Sequence, residues 1–269
     1  MQKLITEAPL PRIRLTSAVR DAIAKDPPTM GDHHTGVVEL SKPETKFGLT
    51  IRTYKEEPPK AFVVVSHNAK TLILFTRCGL TNFARSMVDL HGVPISCAEQ
   101  AFKLMCVSAH YDLEGCTNCD DVMKAILTAT KPRFAKTATN ALKGFSPGLW
   151  NAQSERAMVA AIMLVCTNKE TFERFKTIGA FAGGDDLLVL EANDDSLWGI
   201  NMFADAFMDK LLEAYAQDQG TDLFDAAARI SKGDNKLGKI LTRFLGAIRA
   251  MEHIEYTDAV KNIMFAELV

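Results

Sequence analysis

The sequence predicts an α+β fold that is predominantly α-helical, with its strands gathered in the front third of the chain. From Phe47 onward apolar and polar residues alternate, a pattern that is typical of strands. After Ser96 the apolar residues recur every three or four positions instead, as in helices that pack one face against a core. This change of period predicts a β-rich N-terminal extension followed by a helical domain.

Length and composition indicate an ordinary globular protein. Of the 269 residues, 47% are hydrophobic and 24% are charged, and the net charge is −2. This balance gives no electrostatic signature for nucleic acid or membranes, and no apolar run approaches the roughly 20 residues that a membrane span needs. The first residues lack the apolar core of a signal peptide. We therefore expect a cytoplasmic protein, and nothing in the sequence indicates its oligomeric state.

The front of the chain predicts one short helix and several strands. Proline, charged and short apolar pieces alternate here, with a helix predicted over residues 17–25. Apolar runs at 61–65 and 72–75 flank the mostly polar residues 66–70, which indicates a hairpin or a pair of adjacent strands. We assign residues 1–70 to an N-terminal extension with short strands and residues 71–269 to the main domain.

The rest of the chain predicts a series of helices interrupted by one buried strand at residues 187–191. Each helix is indicated by apolar residues at three- and four-residue spacing. The predicted helices cover residues 96–110, 120–130, 132–142, 151–167, 169–178, 203–216 and 235–251.

Glu99 lies in the first turn of the helix that is predicted to begin at Ser96. A Ser followed three residues later by Glu has the form of a capping box, and the helix dipole favours a carboxylate in a first turn. Glu99 is therefore either a capping residue or a site residue. Its role depends on which other side chains the fold brings to it.

A further carboxylate and two tryptophans stand at the ends of predicted elements, where side chains can face a cleft. Asp195 belongs to an acidic turn before Trp198, and Trp150 follows a Pro-Gly pair at the start of a helix. Aromatic faces beside carboxylates suit a flat base or a sugar, although either tryptophan alone can also be a core anchor. A carboxylate stabilises the oxocarbenium-like state through which a glycosidic bond breaks. The sequence thus supplies candidates for glycosidic chemistry.

The six cysteines are predicted to be reduced thiols rather than a disulfide framework. Cys116 and Cys119 have a spacing that metals and redox sites use, and Cys106 and His110 precede them on one helix face. A surface loop with two cysteines explains the spacing as well as a structural zinc does. We predict no metal site. The cysteines are Cys78, Cys97, Cys106, Cys116, Cys119 and Cys166.

Three motifs in the middle of the chain resemble a known family. Leu80-Thr81-Asn82-Phe83 is similar to an L-S-N-F segment, and Ser96-x-x-Glu99-Gln100-Ala101-Phe102 is similar to a helix start with Ser, Glu, His or Gln, and Phe. Pro132-x-x-Ala135-Lys136 is similar to a P-x-x-A-K element. In this order they are motifs of the NADAR superfamily, which includes the YbiA-like proteins.

Three later motifs follow in the same order as in that family. Trp150 with Arg156 and Met158 resembles its W…R…M helix. The next two are the stretch from Leu190-Glu191-Ala192 to Asp195-x-x-Trp198-Gly199 and the stretch Gly233-x-Asn235-x-Leu237-Gly238. The resemblance therefore extends over about residues 73–249 and leaves the N-terminal extension uncovered.

The resemblance implies a compact α-rich α+β fold and hydrolysis of N-glycosidic bonds to ribose, with no cofactor. Known activities of the family act on ribosylamino-pyrimidine phosphates of early riboflavin biosynthesis and remove ADP-ribose from guanine bases. The expected partner is thus a ribosyl or ADP-ribosyl nucleotide, with ADP-ribosylated nucleic acid as a further candidate and no membrane. The alternative is a non-catalytic module with a degenerate NADAR pocket that holds ADP-ribose, NAD or a related nucleotide.

The resemblance also implies roles for residues of this chain. Glu99 and Asp195 are expected to be the acid/base and oxocarbenium-stabilising pair, with the assignment between them open. We expect both to be partly shielded from water, which raises the pKa of the one that acts as an acid. Trp150 is expected to stack on the base or shape the pocket. The substrate-binding residues carried over are Asn82, Phe83, Lys136, Trp150, Trp198, Gly199 and Asn235.

One departure from the family pattern concerns a lysine. The family usually has Lys seven residues after its Glu, and this chain has Cys106 there. Lys103, four residues after Glu99, lies close to the same helix face, and Lys136 is a second replacement. A lysine can attack the sugar carbon or form a Schiff base with an opened ribose. We count Lys103 among the expected catalytic residues, with an ion-pair partner of Glu99 as its other interpretation.

Overall fold

Strands precede helices along most of the chain, which confirms the predicted α+β class. The protein is described here from a computed structural model. The structure describes residues 11–25, 39–40, 42–56, 60–76, 80–90, 92–181, 186–249 and 256.

The elements are named in chain order, strands and helices separately. The strands are β1 (Glu39–Leu40), β2 (Glu44–Lys46), β3 (Leu49–Glu56), β4 (Lys60–His67), β5 (Lys70–Phe75), β6 (Arg85–Leu90), β7 (Val93–Cys97) and β8 (Asp186–Glu191). The helices are α1 (Ser17–Lys25), α2 (Ala98–His110), α3 (Cys119–Leu127), α4 (Pro132–Ala138), α5 (Pro147–Val165), α6 (Lys169–Phe181), α7 (Ala204–Gln217), α8 (Leu223–Ile230) and α9 (Lys236–Arg249).

The described residues form two compact units. The sheet unit takes its residues from 34–81 and 174–254, and the helical unit takes its residues from 2–33, 82–173 and 255–269. Strands from before residue 70 share a sheet with β8, which lies within the later part of the chain. The compact units do not divide the chain at residue 70. They are units of packing rather than domains, and the division into domains at residue 70 stays a prediction.

The sheet unit is built on a mixed sheet in which β1, β3, β4, β5 and β8 are neighbours in that order and β2 pairs with β3. The hairpin predicted between β4 and β5 is confirmed, with His67 opposite Lys70. Asn68 and Ala69 form its turn at φ values of 46° and 62°, which suits a two-residue hairpin turn. β8 joins β5 as its parallel neighbour.

One face of this sheet packs against α7 and α8. Leu49, Val65, Leu72 and Leu74 are at most 1% exposed and belong to the same core cluster as Phe207 of α7. Burying each such side chain contributes about 1.5–3 kcal/mol. The alternation of β3 therefore places Leu49 and Ile51 on this face and Thr50 and Arg52 on the other.

The helical unit is built around α2. This helix packs against α3, α4 and α5, and β7 leads directly into it. Ala101, Leu104 and Val107 of α2 are fully buried. Because apolar residues surround α2, any polar side chain on its first turn is removed from water.

Most predicted helices are confirmed with shifted ends, and three elements were missed. The helix that was predicted to begin at Ser96 begins two residues later, at Ala98. The three missed elements are β6 and β7, which form a hairpin, and α8. No helix among the described residues is long and apolar enough to cross a membrane.

Candidate active site

The N-terminus of α2 is capped differently from the prediction, and the difference changes the role of Glu99. Cys97 is the N-cap, and its side chain accepts a hydrogen bond from the Gln100 N–H. The residue that reaches back is Gln100, whose Oε1 accepts from the Ser96 N–H at 2.7 Å. The predicted capping box between Ser96 and Glu99 is therefore wrong, and the Glu99 carboxylate is not used as a cap.

The Glu99 carboxylate is buried and faces Asn82. Its side chain is 3% exposed, and its Oε2 accepts a hydrogen bond from Asn82 Nδ2 at 2.5 Å. The Glu99 N–H also donates to the Asn82 carbonyl at 2.7 Å. Two hydrogen bonds thus fix the segment that carries Asn82 against the first turn of α2 and hold the carboxylate in one orientation.

Lys103 lies one turn further along α2 and accompanies Glu99. Its Nζ is 3.8 Å from Glu99 Oε1, and its side chain is 15% exposed. The same Nζ lies 5.1 Å from the centre of the Phe102 ring. The predicted ion pair is present, and its burial makes it more than a solvated surface pair. The helix thus presents an amine beside a buried carboxylate.

Trp150 belongs to the same aromatic environment. It is 8% exposed, and its ring centre is 4.9 Å from that of Phe102. Pro147 and the Ser146 cap begin α5 just before it, with Ser146 accepting from the Leu149 N–H. Trp150 therefore supports the α2 face that carries Glu99 and Lys103, and its predicted stacking on a base stays a prediction.

Cys106, at the position of the missing family lysine, is a buried neutral thiol. Burial raises its pKa to about 12; the charge of Lys103 lowers it and that of Glu99 raises it. Cys97 is similar, with burial raising its pKa to about 11 against a hydrogen bond from the Gln100 N–H. A thiol with so high a pKa is a poor nucleophile at neutral pH, so Cys106 does not replace the lysine chemically.

We expect Cys106 to resist alkylation in the native protein. At pH 8 about one thiol in ten thousand is ionised when the pKa is about 12. Iodoacetamide labelling followed by peptide mass mapping should find Cys106 unmodified until denaturant is added. The control is Cys116 after reduction, which is partly exposed and should be labelled in the native state. Native labelling of Cys106 at the rate of Cys116 would contradict its burial.

The predicted cysteine chemistry needs one correction. The structure pairs Cys116 with Cys119 in a disulfide, so the expectation that all cysteines are reduced is wrong for these two. Cys97, Cys106 and Cys166 are free, and Cys78 lies outside the described residues. The C-x-x-C spacing is close enough for the two sulfurs to reach each other.

The structure also uses His110 for packing rather than for a metal. Its Nδ1 donates to the Cys106 carbonyl at 2.7 Å, and its Nε2 accepts from the Ser146 N–H at 3.1 Å. Both ring nitrogens thus make hydrogen bonds. The residues that the structure describes contain no group of three or more side chains that could hold a metal ion.

Phe83 and Lys136 lie at the surface of the helical unit. Phe83 is 40% exposed, Lys136 is exposed, and the Lys136 Nζ is 6.0 Å from the Phe83 ring centre. This distance is that of a weak cation–π contact. Lys136 is therefore the more solvated of the two lysines proposed as replacements, and Lys103 is the one beside Glu99.

In the sheet unit, Asp195 organises its own turn. Its Oδ1 accepts from the N–H groups of Leu197 and Trp198, both at 2.9 Å. Asp195 is partly buried, as expected. One of its oxygens thus has a structural role, and its predicted catalytic role stays a prediction.

The turn after Asp195 also completes the N-terminus of α9. Carbonyls of the turn accept from the N–H groups at the start of that helix: Leu197 from Lys236, and Trp198 from Leu237. At Gly199 an added Cβ would lie 1.9 Å from Asn193 Oδ1. The predicted site residues Trp198 and Gly199 therefore belong to a tightly packed junction with the helix.

Asn235 holds this junction to β8. It is 4% exposed, its Oδ1 accepts from the Glu191 N–H at 3.0 Å, and its Nδ2 donates to the Val189 carbonyl at 2.8 Å. An added Cβ at Gly238 would lie 2.3 Å from the same Val189 carbonyl. Asn235 was predicted to bind substrate, and the structure gives its amide a structural function.

The structure brings together Asn82, Glu99, Lys103 and, through Phe102, Trp150 in the helical unit. In the sheet unit it brings together Asp195, Trp198, Gly199 and Asn235. One residue was missed by the sequence predictions. Gln100 is 1% exposed and donates from Nε2 to the Ile126 carbonyl at 2.9 Å. The sequence feature that could have identified it is its position beside Glu99 in the motif.

The fold agrees with the family that the motifs indicated. A sequence model of the NADAR domain matches residues 74–249, and the chain therefore belongs to the NADAR family. A comparison with curated proteins finds no match to this chain. Membership is consistent with the glycosidase-like hydrolytic activity of the family.

Proposed function

We propose that this protein is an N-glycosidase that hydrolyses the bond between a base and a ribose or ADP-ribose group. The observation that carries the proposal is the Glu99 carboxylate, which is 3% exposed and oriented by Asn82 beside Lys103. A buried, oriented carboxylate stabilises developing positive charge far better than one in water. The candidate substrates are ADP-ribosylated guanine nucleotides and ribosylamino-pyrimidine phosphates.

The proposed reaction begins with cleavage of the bond between the ribose C1′ and the base nitrogen. The electron pair of that bond leaves with the base, which takes up a proton, and positive charge develops on the ribose. Glu99 stabilises this charge and accepts the proton of the water that adds to C1′. Asp195 stays the second predicted carboxylate, to be tested by its own variant.

Direct measurement of product separates catalysis from binding. The protein is incubated with ADP-ribosylated guanine nucleotide and, separately, with ribosylamino-pyrimidine phosphate, and the free base is followed by chromatography. Release of base from either substrate supports the proposal. Tight ADP-ribose binding without turnover of either substrate would exclude it and support the alternative below.

The alternative is a binding module that holds ADP-ribose or a related nucleotide without cleaving it. The observation that favours it is Cys106, which is 2% exposed and carries a thiol with a pKa of about 12 where the family pattern has lysine. A family member that has lost a reactive amine can keep its binding groups. Lys103 provides an amine near Glu99. A variant of Lys103 therefore distinguishes the two proposals.

We expect Lys103→Met to lower kcat by about 100-fold, within the range for loss of one proton-transfer or nucleophilic group. If the amine forms a Schiff base with the opened ribose, its Nζ displaces the C1′ oxygen as water. Borohydride then reduces the imine and leaves a stable mass increase on the Lys103 peptide. The matched control is Lys143→Met, an exposed lysine of the same unit, which should keep activity and trapping. Loss of both in Lys136→Met instead would assign the role to Lys136.

A further inference from the structure

The hairpin end of the sheet unit contains a polar cavity that the proposed N-glycosidase function does not use. It has a volume of about 400 Å³. All of its lining residues lie between 48 and 71, before the segment that matches the family at residues 74–249. The lining residues are Gly48, Thr50, Arg52, Ser66, His67, Asn68, Ala69, Lys70 and Thr71.

Three hydroxyl groups form a row across this cavity. Thr50 of β3 is opposite Ser66 of β4, and Ser66 is opposite Thr71 of β5. The Ser66 and Thr71 oxygens are 3.5 Å apart, which leaves hydroxyl hydrogens able to turn toward a ligand. The same face continues as buried apolar residues at Val64 and Ile73, so the hydroxyls are confined to the hairpin end.

Arg52 supplies the positive charge at the end of this row. It lies two residues after Thr50 on the same face of β3, and its Nε is buried without a hydrogen-bond partner. A hydrogen bond to Arg52 and its charge both lower the pKa of Tyr54, which burial raises more strongly. Tyr54 thus holds one side of the guanidinium, and Arg52 also lines the cavity.

The charges of the lining residues themselves favour an anion. The nine lining residues include no carboxylate. Lys70 is paired with Asp222, whereas no ion pair to Arg52 occurs within the part of the chain that the structure describes. A guanidinium with adjacent hydroxyls has the donor geometry that phosphate oxygens accept. A carboxylate ligand would leave more of these donors unused.

We propose that this cavity is a phosphate-binding site, with Arg52 as its main donor and the hydroxyls of Thr50, Ser66 and Thr71 as further donors. The volume fits a phosphate together with part of the molecule that carries it. The phosphate belongs either to a free mononucleotide or to the backbone of a nucleic acid. The site is independent of the Glu99 chemistry.

The test is calorimetric titration of the full chain with three probes: inorganic phosphate, adenosine monophosphate, and a single-stranded DNA octamer without terminal phosphates. We expect Arg52→Gln to weaken binding of the phosphate probes about tenfold, the effect of losing one charge-assisted hydrogen bond. The matched control is Arg229→Gln on α8, which removes the same charge from an exposed position and should leave affinity unchanged.

The outcomes separate the sources of the phosphate and decide the proposal. Binding of the octamer with the same dependence on Arg52 identifies a nucleic-acid backbone, and binding of adenosine monophosphate alone identifies a free phosphomonoester. Ser66→Ala provides a second variant in case Arg52→Gln does not fold, and it should weaken binding about threefold. Absence of binding by all three probes, or equal affinity in wild type and both folded variants, would overturn the proposal.

Discussion

Replacing Glu99 with glutamine should lower kcat for base release by about 1,000-fold, within the usual range for a group that moves a proton. The substitution keeps an oxygen that can accept from Asn82 Nδ2, as Oε2 does at 2.5 Å. It removes the negative charge, and with it the ion pair to Lys103 and the ability to accept a proton. The loss should appear in kcat rather than in KM, because the charge acts on the cationic transition state.

The control for this measurement is Glu114→Gln, which removes a carboxylate from an exposed position of the same unit. Its kcat should equal that of the wild type. Thermal unfolding of both variants, measured beside kcat, separates lost chemistry from lost structure. A Glu99→Gln variant that keeps more than about a tenth of the parental kcat would contradict the proton-transfer role.

The position of Glu99 in a first turn could be predicted from sequence, but the capping residue could not. Ser, Cys, Glu and Gln stand close together at residues 96–100, and several registers satisfy a local capping pattern. Residues distant in sequence determine which side chain caps the helix. The Asn82 carbonyl accepts from the Glu99 N–H, and the Asn82 amide donates to the Glu99 carboxylate. The Ile126 carbonyl accepts from the Gln100 side-chain amide. The local pattern therefore predicts the helix, whereas long-range hydrogen bonds determine what its first side chains contact.

The strands show the same limit. β4 and β5 were predictable because their alternation and their turn are local. β8 was predicted as a strand, yet its parallel pairing with β5 joins Phe75 to Glu191 across the intervening chain. The β6–β7 hairpin was not predicted, because Pro94 lies within β7 and a proline inside an apolar run argues against a strand. Period and turn residues identify elements, whereas pairing over such separations depends on burial that the local sequence does not encode.

The family motifs of the sheet unit have a physical explanation besides catalysis. Gly199 admits no side chain beside Asn193, and Gly238 admits none beside the Val189 carbonyl. Asn235 joins that carbonyl to the Glu191 N–H. These residues position the strand end that leads into Asp195. A motif residue can thus be required for the geometry of a site without contacting a substrate.

Replacing Asn235 with alanine should therefore destabilise the protein by about 3 kcal/mol. The substitution leaves the Glu191 N–H and the Val189 carbonyl without the partners that the amide provides at 3.0 and 2.8 Å, and each buried group left unsatisfied costs about 1–3 kcal/mol. Asn235 also has a φ of 51°, which alanine tolerates less well. The measurement is the midpoint and slope of urea unfolding, followed by fluorescence.

Asn201→Ala is the control that separates these two causes. Asn201 has a φ of 52° but is exposed, so its substitution carries the backbone cost without the loss of buried hydrogen bonds. We expect it to destabilise the protein by about 1 kcal/mol or less. The difference between the two variants measures the hydrogen bonds that Asn235 makes to β8. Equal destabilisation by both would show that the backbone conformation, rather than the junction with the strand, is the reason for asparagine at this position.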